Sequence, residues 1–191
     1  MAKPSTFLKI PVERVGVLVG PEGKTKKNIE DKLSVELKVD SQTGDVTVSL
    51  SGQASDPSVL FKAKDVVTAL GRGFSPEHAS RLIRDEDAIL DVIDLRTVFG
   101  RSETDIKRVK GRIIGMNGKT RRIIEELTDT NLAVYGHTVS IIGSIEHAEV
   151  AREAVQMLVK GSMHATVYRF LHRKRRELKK KMLEIWEKPP E

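Results

Sequence analysis

Two short loops of one pattern constrain the fold of this chain more than any other feature of its sequence. Gly20-Pro21-Glu22-Gly23 and Gly115-Met116-Asn117-Gly118 lie 95 residues apart, and Lys-Thr follows each of them. An isoleucine stands at the same distance beyond each loop, at Ile29 and Ile124. A pattern that recurs together with its flanking residues indicates one structural module present twice. The 191 residues are therefore expected to form two small domains.

The hydrophobic pattern around both loops predicts the same order of elements, β-α-loop-α-β-β-α. In the first copy we expect strands over 7–12, 35–39 and 46–50, and helices over 13–19, 24–33 and from about 56 to 71. In the second copy we expect strands over 89–95, 132–135 and 138–142, and helices over 104–114, 119–128 and 145–160. Between the copies, Ser75 and Pro76 predict the start of a connecting helix with Ser75 as its cap.

This order of elements is that of a type I KH fold. The predicted fold class is α+β: tandem type I KH domains, each a three-stranded antiparallel sheet packed by helices, plus a basic C-terminal helix. The predicted boundaries are 1–73 for the first KH domain, 74–87 for the connecting helix, 88–161 for the second KH domain and 162–191 for the basic C-terminal helix.

The C-terminal segment concentrates the positive charge of the chain. Residues 169–181 include eight basic side chains and one acidic one, a net +7, while the whole chain carries +6. Apolar residues recur in this segment at a sparse helical spacing, at Val167, Leu171, Leu178, Met182 and Ile185. Two interpretations remain open: a helix that docks on a partner or on RNA phosphates, or a solvated and partly frayed end.

A Gly-x-x-Gly loop that leads into a basic helix is suited to hold a phosphate. Glycine lets the main chain take unusual dihedral angles and approach a ligand closely. The first N–H groups of the following helix lack intrahelical partners, and the helix dipole adds partial positive charge there. KH domains use such a loop to clamp about four nucleotides of a single strand. A nucleotide-binding P-loop is excluded, because its first glycine would fall at Leu18 or Ile113.

We predict that the second module is the main RNA-binding one, because its loop carries neutral side chains between the glycines. The predicted RNA-binding residues of this module are Arg112, Ile114, Gly115, Met116, Asn117, Gly118, Lys119, Arg121 and Arg122. From the first module and the basic tail the prediction adds Gly20, Gly23, Lys24, Lys27, Arg173, Arg175 and Arg176. Ile113, Ile114 and Ile123 are candidates either for the floor of an apolar groove under the bases or for plain core.

The first loop differs from the second in two ways that bear on RNA binding. Glu22 puts a carboxylate where a phosphate should sit, and like charges repel. Pro21 removes one N–H donor from the loop. Lys24, Lys26 and Lys27 can compensate in part. The first module is therefore expected either to contact RNA more weakly or to face a protein partner.

Composition excludes several other functions. The chain has no cysteine, so disulfides and thiolate metal sites are impossible, and its five histidines show no paired ligand spacing. No segment approaches the ~20 apolar residues of a membrane helix, and the first residues lack the apolar core of a signal peptide. No nucleophile pattern emerges. We expect a cytoplasmic binding protein without catalytic residues, metal or cofactor.

Two segments carry a resemblance to a known family. Residues 111–128 read Gly-Arg-Ile-Ile-Gly-Met-Asn-Gly-Lys-Thr-Arg-Arg-Ile-Ile-Glu-Glu-Leu-Thr, and residues 73–77 read Gly-Phe-Ser-Pro-Glu. Both resemble the two-KH ribosome assembly factors called partner-of-Nob or Dim-two proteins, of the archaeal type. The resemblance covers nearly the whole chain.

This resemblance implies a specific target and specific partners. It implies binding to the 3′ region of small-subunit rRNA, near the cleavage site that matures it, with 115–118 as the main clamp. It also implies work beside the Nob-type endonuclease and the dimethyladenosine transferase, and a contact with the α subunit of translation initiation factor 2.

Three other functions remain as alternatives. A general adaptor for single-stranded RNA, such as an exosome cap or a messenger-RNA regulator, would bind many sequences with similar affinity and a steep salt dependence. An RNA-processing enzyme would need converging carboxylates or an activated nucleophile, which the sequence does not offer. A purely protein-binding scaffold would keep its activity when the charges at both loops are reversed.

Overall fold

The repeated module is present twice in the computed structural model, which describes residues 4–52 and 56–187, with side chains to residue 183. The first module comprises β1 (Ser5–Lys9), α1 (Val12–Val19), α2 (Lys24–Leu33), β2 (Val35–Val39), β3 (Asp45–Leu50) and α3 (Val59–Gly71). Two short helices follow it, α4 (Pro76–Ala79) and α5 (Arg81–Arg84).

The second module repeats this order with one insertion and a long final helix. It comprises β4 (Ala88–Asp94), α6 (Arg96–Phe99), α7 (Glu103–Ile114), α8 (Lys119–Thr128), β5 (Asn131–Tyr135), β6 (Thr138–Ser144) and α9 (Ile145–Val159). The chain continues as α10 (His164–Glu187). No helix in the described part of the chain is long and apolar enough to cross a membrane.

Each module has a three-stranded antiparallel sheet in which the last strand lies in the middle. The strand orders are β1-β3-β2 and β4-β6-β5. In the first sheet Val35 pairs with Leu50, and in the second Leu132 pairs with Ile141. Alternate residues of the strands face the helices, so Val46 and Val48 are fully buried. The predicted fold class, α+β with tandem type I KH domains and a C-terminal helix, is confirmed.

Two local expectations were wrong, and one short helix was not predicted. The first strand ends at Lys9 rather than at 12, because Pro11 is the N-cap of α1 and the Ile10 N–H bonds to the carbonyl of Gly44. The connecting helix is interrupted at Ser80, although Ser75 caps it as predicted by accepting the N–H of His78 at 3.3 Å. The four-residue helix α6 was not predicted.

The two modules pack directly against each other. The outer face of the second sheet packs against α3 and α5, so that Ala133 and Ile142 join the buried cluster of the first module. Gly73 has φ +102°, and a Cβ there would lie 2.8 Å from the Cβ of Tyr135. The Tyr135 hydroxyl donates to a carboxylate oxygen of Glu13 across the same boundary. The relative position of the modules is therefore fixed by packing.

The first turns of α10 belong to the core of the second module. Val167 and Leu171 are fully buried and Phe170 is 7 % exposed, because the helix packs against α8 and α9. Neither sequence-based interpretation of the tail included this docking. Farther along, Met182 is exposed, and the side chain of Ile185 lies outside the described residues.

Candidate nucleic-acid interface

The two Gly-x-x-Gly loops have the same backbone conformation. Gly20 and Gly115 both have φ +72°, with ψ 175° and 173°. The third loop residue is left-handed in each copy, with φ +53° at Glu22 and +52° at Asn117. The last glycines both have φ +74°. The sequence repeat is thus a repeat of main-chain geometry.

The first glycine of each loop allows the loop to pack against the helix that follows. Its φ and ψ lie in a region that is essentially restricted to glycine. A Cβ on Gly115 would lie 2.8 Å from the Cβ of Thr120 and would collide with its hydroxyl oxygen, and Gly20 stands in the same relation to Thr25. Nothing lies within 4 Å of a Cβ on Gly118, so only its positive φ favours glycine there.

Some of the loop N–H groups are already used inside the loop. The N–H of Gly118 donates to the carbonyl of Gly115 at 3.2 Å, and the N–H of Lys119 donates to Met116. The same bonds form in the first loop. The second loop keeps an N–H at Met116, where the first loop has Pro21 and none. The Met116 side chain is 82 % exposed, so this loop is open to a ligand.

The cations predicted around the second loop divide into two groups. Lys119, Arg121 and Arg122 lie on the exposed face of α8; Arg121 faces Glu125 at 3.6 Å, and Arg122 donates to the Asn117 carbonyl at 3.1 Å. Arg112 instead donates from Nη2 to the carbonyl of Ser162 at 2.6 Å, and its Nε is buried without a hydrogen-bond partner in the described residues. Arg112 is thus directed toward α10.

In the first module the cations are arranged differently. Lys24 Nζ lies 3.0 Å from Glu22 Oε2, and both side chains are mostly exposed. Lys27 is exposed on α2. Lys26 pairs with Glu30 at 3.9 Å, as Arg121 does with Glu125 in the second copy. The cation nearest to the first loop is thus partly neutralised by the loop itself.

We term groove the surface between each loop helix and the edge strand that it contacts, α2 with β2 and α8 with β5. In each module a glutamate of the loop helix accepts a main-chain N–H of the edge strand. Glu125 accepts the N–H of Leu132, and Glu30 accepts that of Leu37, both at 2.8 Å. Neither glutamate was predicted as a site residue from the sequence. The repeat could have identified both glutamates, since each lies ten residues after the first glycine of its loop.

The isoleucines that the sequence offered as floor or core are now assigned separately. Ile113 is fully buried and belongs to the core. Ile114 and Ile123 are half-buried, on the two helices that flank the second loop. Across the groove, the Lys110 ammonium donates to the Gly136 carbonyl at 2.7 Å and ties the β5–β6 turn to α7.

Helix α10 is hydrogen-bonded to the two helices that flank the second loop, α7 and α8. The Tyr168 hydroxyl and Thr120 Oγ1 share a hydrogen bond of 2.9 Å, and His164 Nε2 lies 2.9 Å from the Arg112 carbonyl. The predicted tail residues lie farther along this helix. Arg173 faces Glu177 at 3.7 Å, and Arg175 and Arg176 are exposed. Because Arg173 is about 13 Å along the helix from His164, these arginines form a surface separate from the loop.

Both modules match family models. Residues 14–85 match the Krr1 KH1 domain. Residues 89–176 match the model for the second KH domain of PNO1, described as a eukaryotic type KH domain of type I. The second match ends inside α10, in agreement with the packing of that helix on the second module.

Relatives match along most of the chain. A KH domain-containing protein of Methanocaldococcus jannaschii is 47% identical over 182 residues, which are 95% of this chain and 79% of the relative. The pre-rRNA-processing protein PNO1 of Debaryomyces hansenii is 28% identical over 164 residues, which are 86% of this chain. The chain spans 64% of that yeast protein, less than two thirds of its length.

Solved structures share the whole fold. A protein of unknown function from Aeropyrum pernix superposes with a TM-score of 0.91 at 43% identity, over 97% of this chain and 98% of the other. Dim2p from Pyrococcus horikoshii gives 0.81 at 44% identity, over 90% and 99%. A chain of the a/eIF2alpha–aDim2p–rRNA complex from the same organism gives 0.86 at 42% identity, over 92% and 96%.

The fold and the duplicated loop define a protein with two type I KH domains packed against each other. The matches to both modules and the relatives that cover nearly the whole chain are more specific than this class. The chain belongs to the PNO1/Dim2 family and is of the archaeal type.

Proposed function

We propose that this protein binds single-stranded RNA, and that its target is the 3′ region of small-subunit rRNA during ribosome assembly. The observation that carries this proposal is the loop Gly115–Gly118. It has a neutral, exposed tip and the same backbone as its repeat, and Lys119, Arg121 and Arg122 stand on the helix behind it. Such a loop can hold a phosphate without a competing carboxylate.

The relatives support rRNA over other single strands. One structural neighbour is a Pyrococcus horikoshii Dim2p chain in a complex with rRNA and a/eIF2alpha, and the yeast relatives are named pre-rRNA-processing proteins. We extend this to a contact of the present chain with the α subunit of initiation factor 2. Contacts with a Nob-type endonuclease and a dimethyladenosine transferase are proposed on the family resemblance.

The second module would act as the main clamp and the first as a weaker one. In the first loop Glu22 opposes a phosphate and holds Lys24, and Pro21 offers no N–H. Bases on the second module would face the edge of β5. The N–H of Leu132 points away from β6, toward Glu125, so the main chain of Val134, two residues farther, faces the same way. That edge can donate and accept hydrogen bonds to a base.

The test is binding of a short oligonucleotide with the 3′-end sequence of small-subunit rRNA, and of a scrambled one, across salt concentrations. The informative variant is Met116→Asp/Asn117→Asp, which adds two negative charges at the loop tip. Asp tolerates the left-handed conformation of residue 117, so the loop should keep its shape. Lys62→Glu makes the same change in net charge at an exposed position of α3, outside both loops and the helices that flank them, and is the matched control.

We expect the loop variant to lose most of its affinity, the control to bind as wild type does, and the scrambled RNA to bind more weakly. Equal affinity for both RNAs would favour the general adaptor. Unchanged binding by the loop variant would refute the loop as the site and would direct attention to the basic surface of α10.

A further inference from the structure

The second module contains a segment that the first lacks. In the first module only two residues separate β1 from α1, whereas α6 and the first turn of α7 are inserted at the same point of the second module. This insertion brings Arg96 and Arg101 next to the β5–β6 turn. A segment that is present in only one of two copies is a candidate for a function specific to that copy.

The inserted segment forms one side of a basic recess of about 770 Å³. The other side is the turn at Gly136 and His137. Buried Ile106 contributes to its lining, and four cationic side chains surround it with one carboxylate, that of Glu103; the four are Arg96, Arg101, Lys107 and Lys110. The volume and the sign of the charge suit a phosphate with its sugar.

The charge of this recess is largely uncompensated. Arg96, Arg101 and Lys107 form no ion pair with any residue of the described ranges 4–52 and 56–183. Other cations of the same module are paired, such as Arg108 with Asp105 at 2.8 Å. The neighbouring carboxylate of Asp94 is directed to His137, 3.6 Å away. A set of unpaired cations around one recess attracts a polyanion.

The recess lies along α7 from the second loop. Lys107, Lys110 and Ile114 are spaced three and four residues apart, so they form one face of α7 that leads to Gly115. Lys107 precedes Gly115 by eight residues, or about 12 Å along the helix axis. A strand that leaves the clamp along this face would reach the recess within a few nucleotides.

We infer that this recess binds the phosphodiester backbone of nucleotides that adjoin those held by the second loop. The second module then contacts a longer stretch of RNA than the roughly four nucleotides of a KH clamp. This inference rests on the proposed function, because it requires RNA in the groove. It adds a second contact site for phosphate, to which the α6–α7 insertion contributes Arg96 and Arg101.

The experiment compares a tetranucleotide with a decanucleotide that extends it at both ends, for wild type and Arg101→Glu/Lys107→Glu. Lys62→Glu/Lys64→Glu on α3 makes the same change in net charge and is the control. Loss of two phosphate contacts should lower the slope of log K against log salt by about 1.4 and reduce decanucleotide affinity by about tenfold or more. Tetranucleotide binding should not change.

Two results would overturn the inference. One is a decanucleotide affinity that is the same in the recess variant as in the control. The other is an equal loss for both RNAs, which would mean a general field effect. The proposed function is tested separately in this design, since the tetranucleotide should bind wild type and be lost in Met116→Asp/Asn117→Asp. If wild type binds neither RNA, both proposals are wrong.

Discussion

Exchanging the third residue of the two loops tests whether the charge at that position sets how well each loop holds RNA. Glu22 and Asn117 occupy it in the same left-handed conformation, with φ +53° and +52°. Glu22→Asn gives the first loop the residue of the second, and Asn117→Glu makes the reverse change. The two backbones already agree, so each exchange alters a side chain without remodelling the loop.

The size of the effect follows from the electrostatics of an exposed site. A carboxylate 4 Å from a phosphate costs about 1 kcal/mol at the dielectric constant of water and about 4 kcal/mol at an effective value of 20. The Glu22 side chain is 80% exposed and pairs with Lys24, so the lower figure applies. Since about 1.4 kcal/mol is tenfold in affinity, Glu22→Asn should tighten binding about fivefold. Asn117→Glu should weaken it by at least as much.

The assay is fluorescence anisotropy with a labelled oligonucleotide long enough to reach both loops. The differences should shrink at high salt, where charges at the surface are screened. Glu22→Gln separates the effect of the charge from the effect of the backbone conformation. It removes the charge and should raise affinity as Glu22→Asn does, but glutamine is as poorly suited to positive φ as glutamate is. Only Glu22→Asn should also stabilise the fold, by up to about 1 kcal/mol. Affinities that stay unchanged in Glu22→Gln and in Asn117→Glu would refute the reasoning.

Three further predictions concern the loop, the C-terminal helix and the boundary between the modules. Gly118→Ala should cost about 1–2 kcal/mol of unfolding free energy, the price of positive φ alone. Gly115→Ala should cost more in the same urea titration, because its Cβ would also meet Thr120; equal costs would contradict the packing argument. Tyr168→Phe should cost about 0.5–1.5 kcal/mol by removing the bond to Thr120, and thermal unfolding will show no change if that bond contributes nothing. The hydrogen bond to Glu13 raises the pKa of Tyr135 above 10.0. Its stabilising contribution is therefore present below pH 10 and lost as pH rises through the folded-state pKa, so wild type should lose more stability than Tyr135→Phe in alkali, and parallel pH curves would exclude this role.

Much of the module could be predicted because its signals are local. The helices over 24–33 and 119–128 have the predicted bounds, since a glycine begins each one and an apolar stripe marks its buried face. Alternation along 35–39 gave the edge strand of the first sheet. The first strand was extended too far because apolar residues continue to 12, although Pro11 already favours a break.

The features that were missed depend on tertiary contacts. Phe170 lies within the basic C-terminal segment, yet it packs on α8 and α9 with only 7 % of its surface exposed. Arg112 borders the second loop, but its hydrogen bond to the Ser162 carbonyl joins positions far apart in the sequence and leaves no local signal. Helix α6 is too short to show a periodicity. A one-dimensional pattern holds no information on which distant carbonyl or helix a side chain will meet.

The packed boundary between the two modules has a consequence for any RNA that occupies both loops. Domains joined by a flexible linker search for a second site, and the length of that linker sets the local concentration. Here Ala133 and Ile142 are packed into the first module, and Gly73 lies against Tyr135, so the two loops are held at a fixed distance from each other. The cost in conformational entropy falls on the nucleotides between the two bound segments. An RNA segment that is one nucleotide too short could not occupy both loops at once. Simultaneous binding would therefore select RNA by the length of the segment between the two bound sites as well as by its sequence.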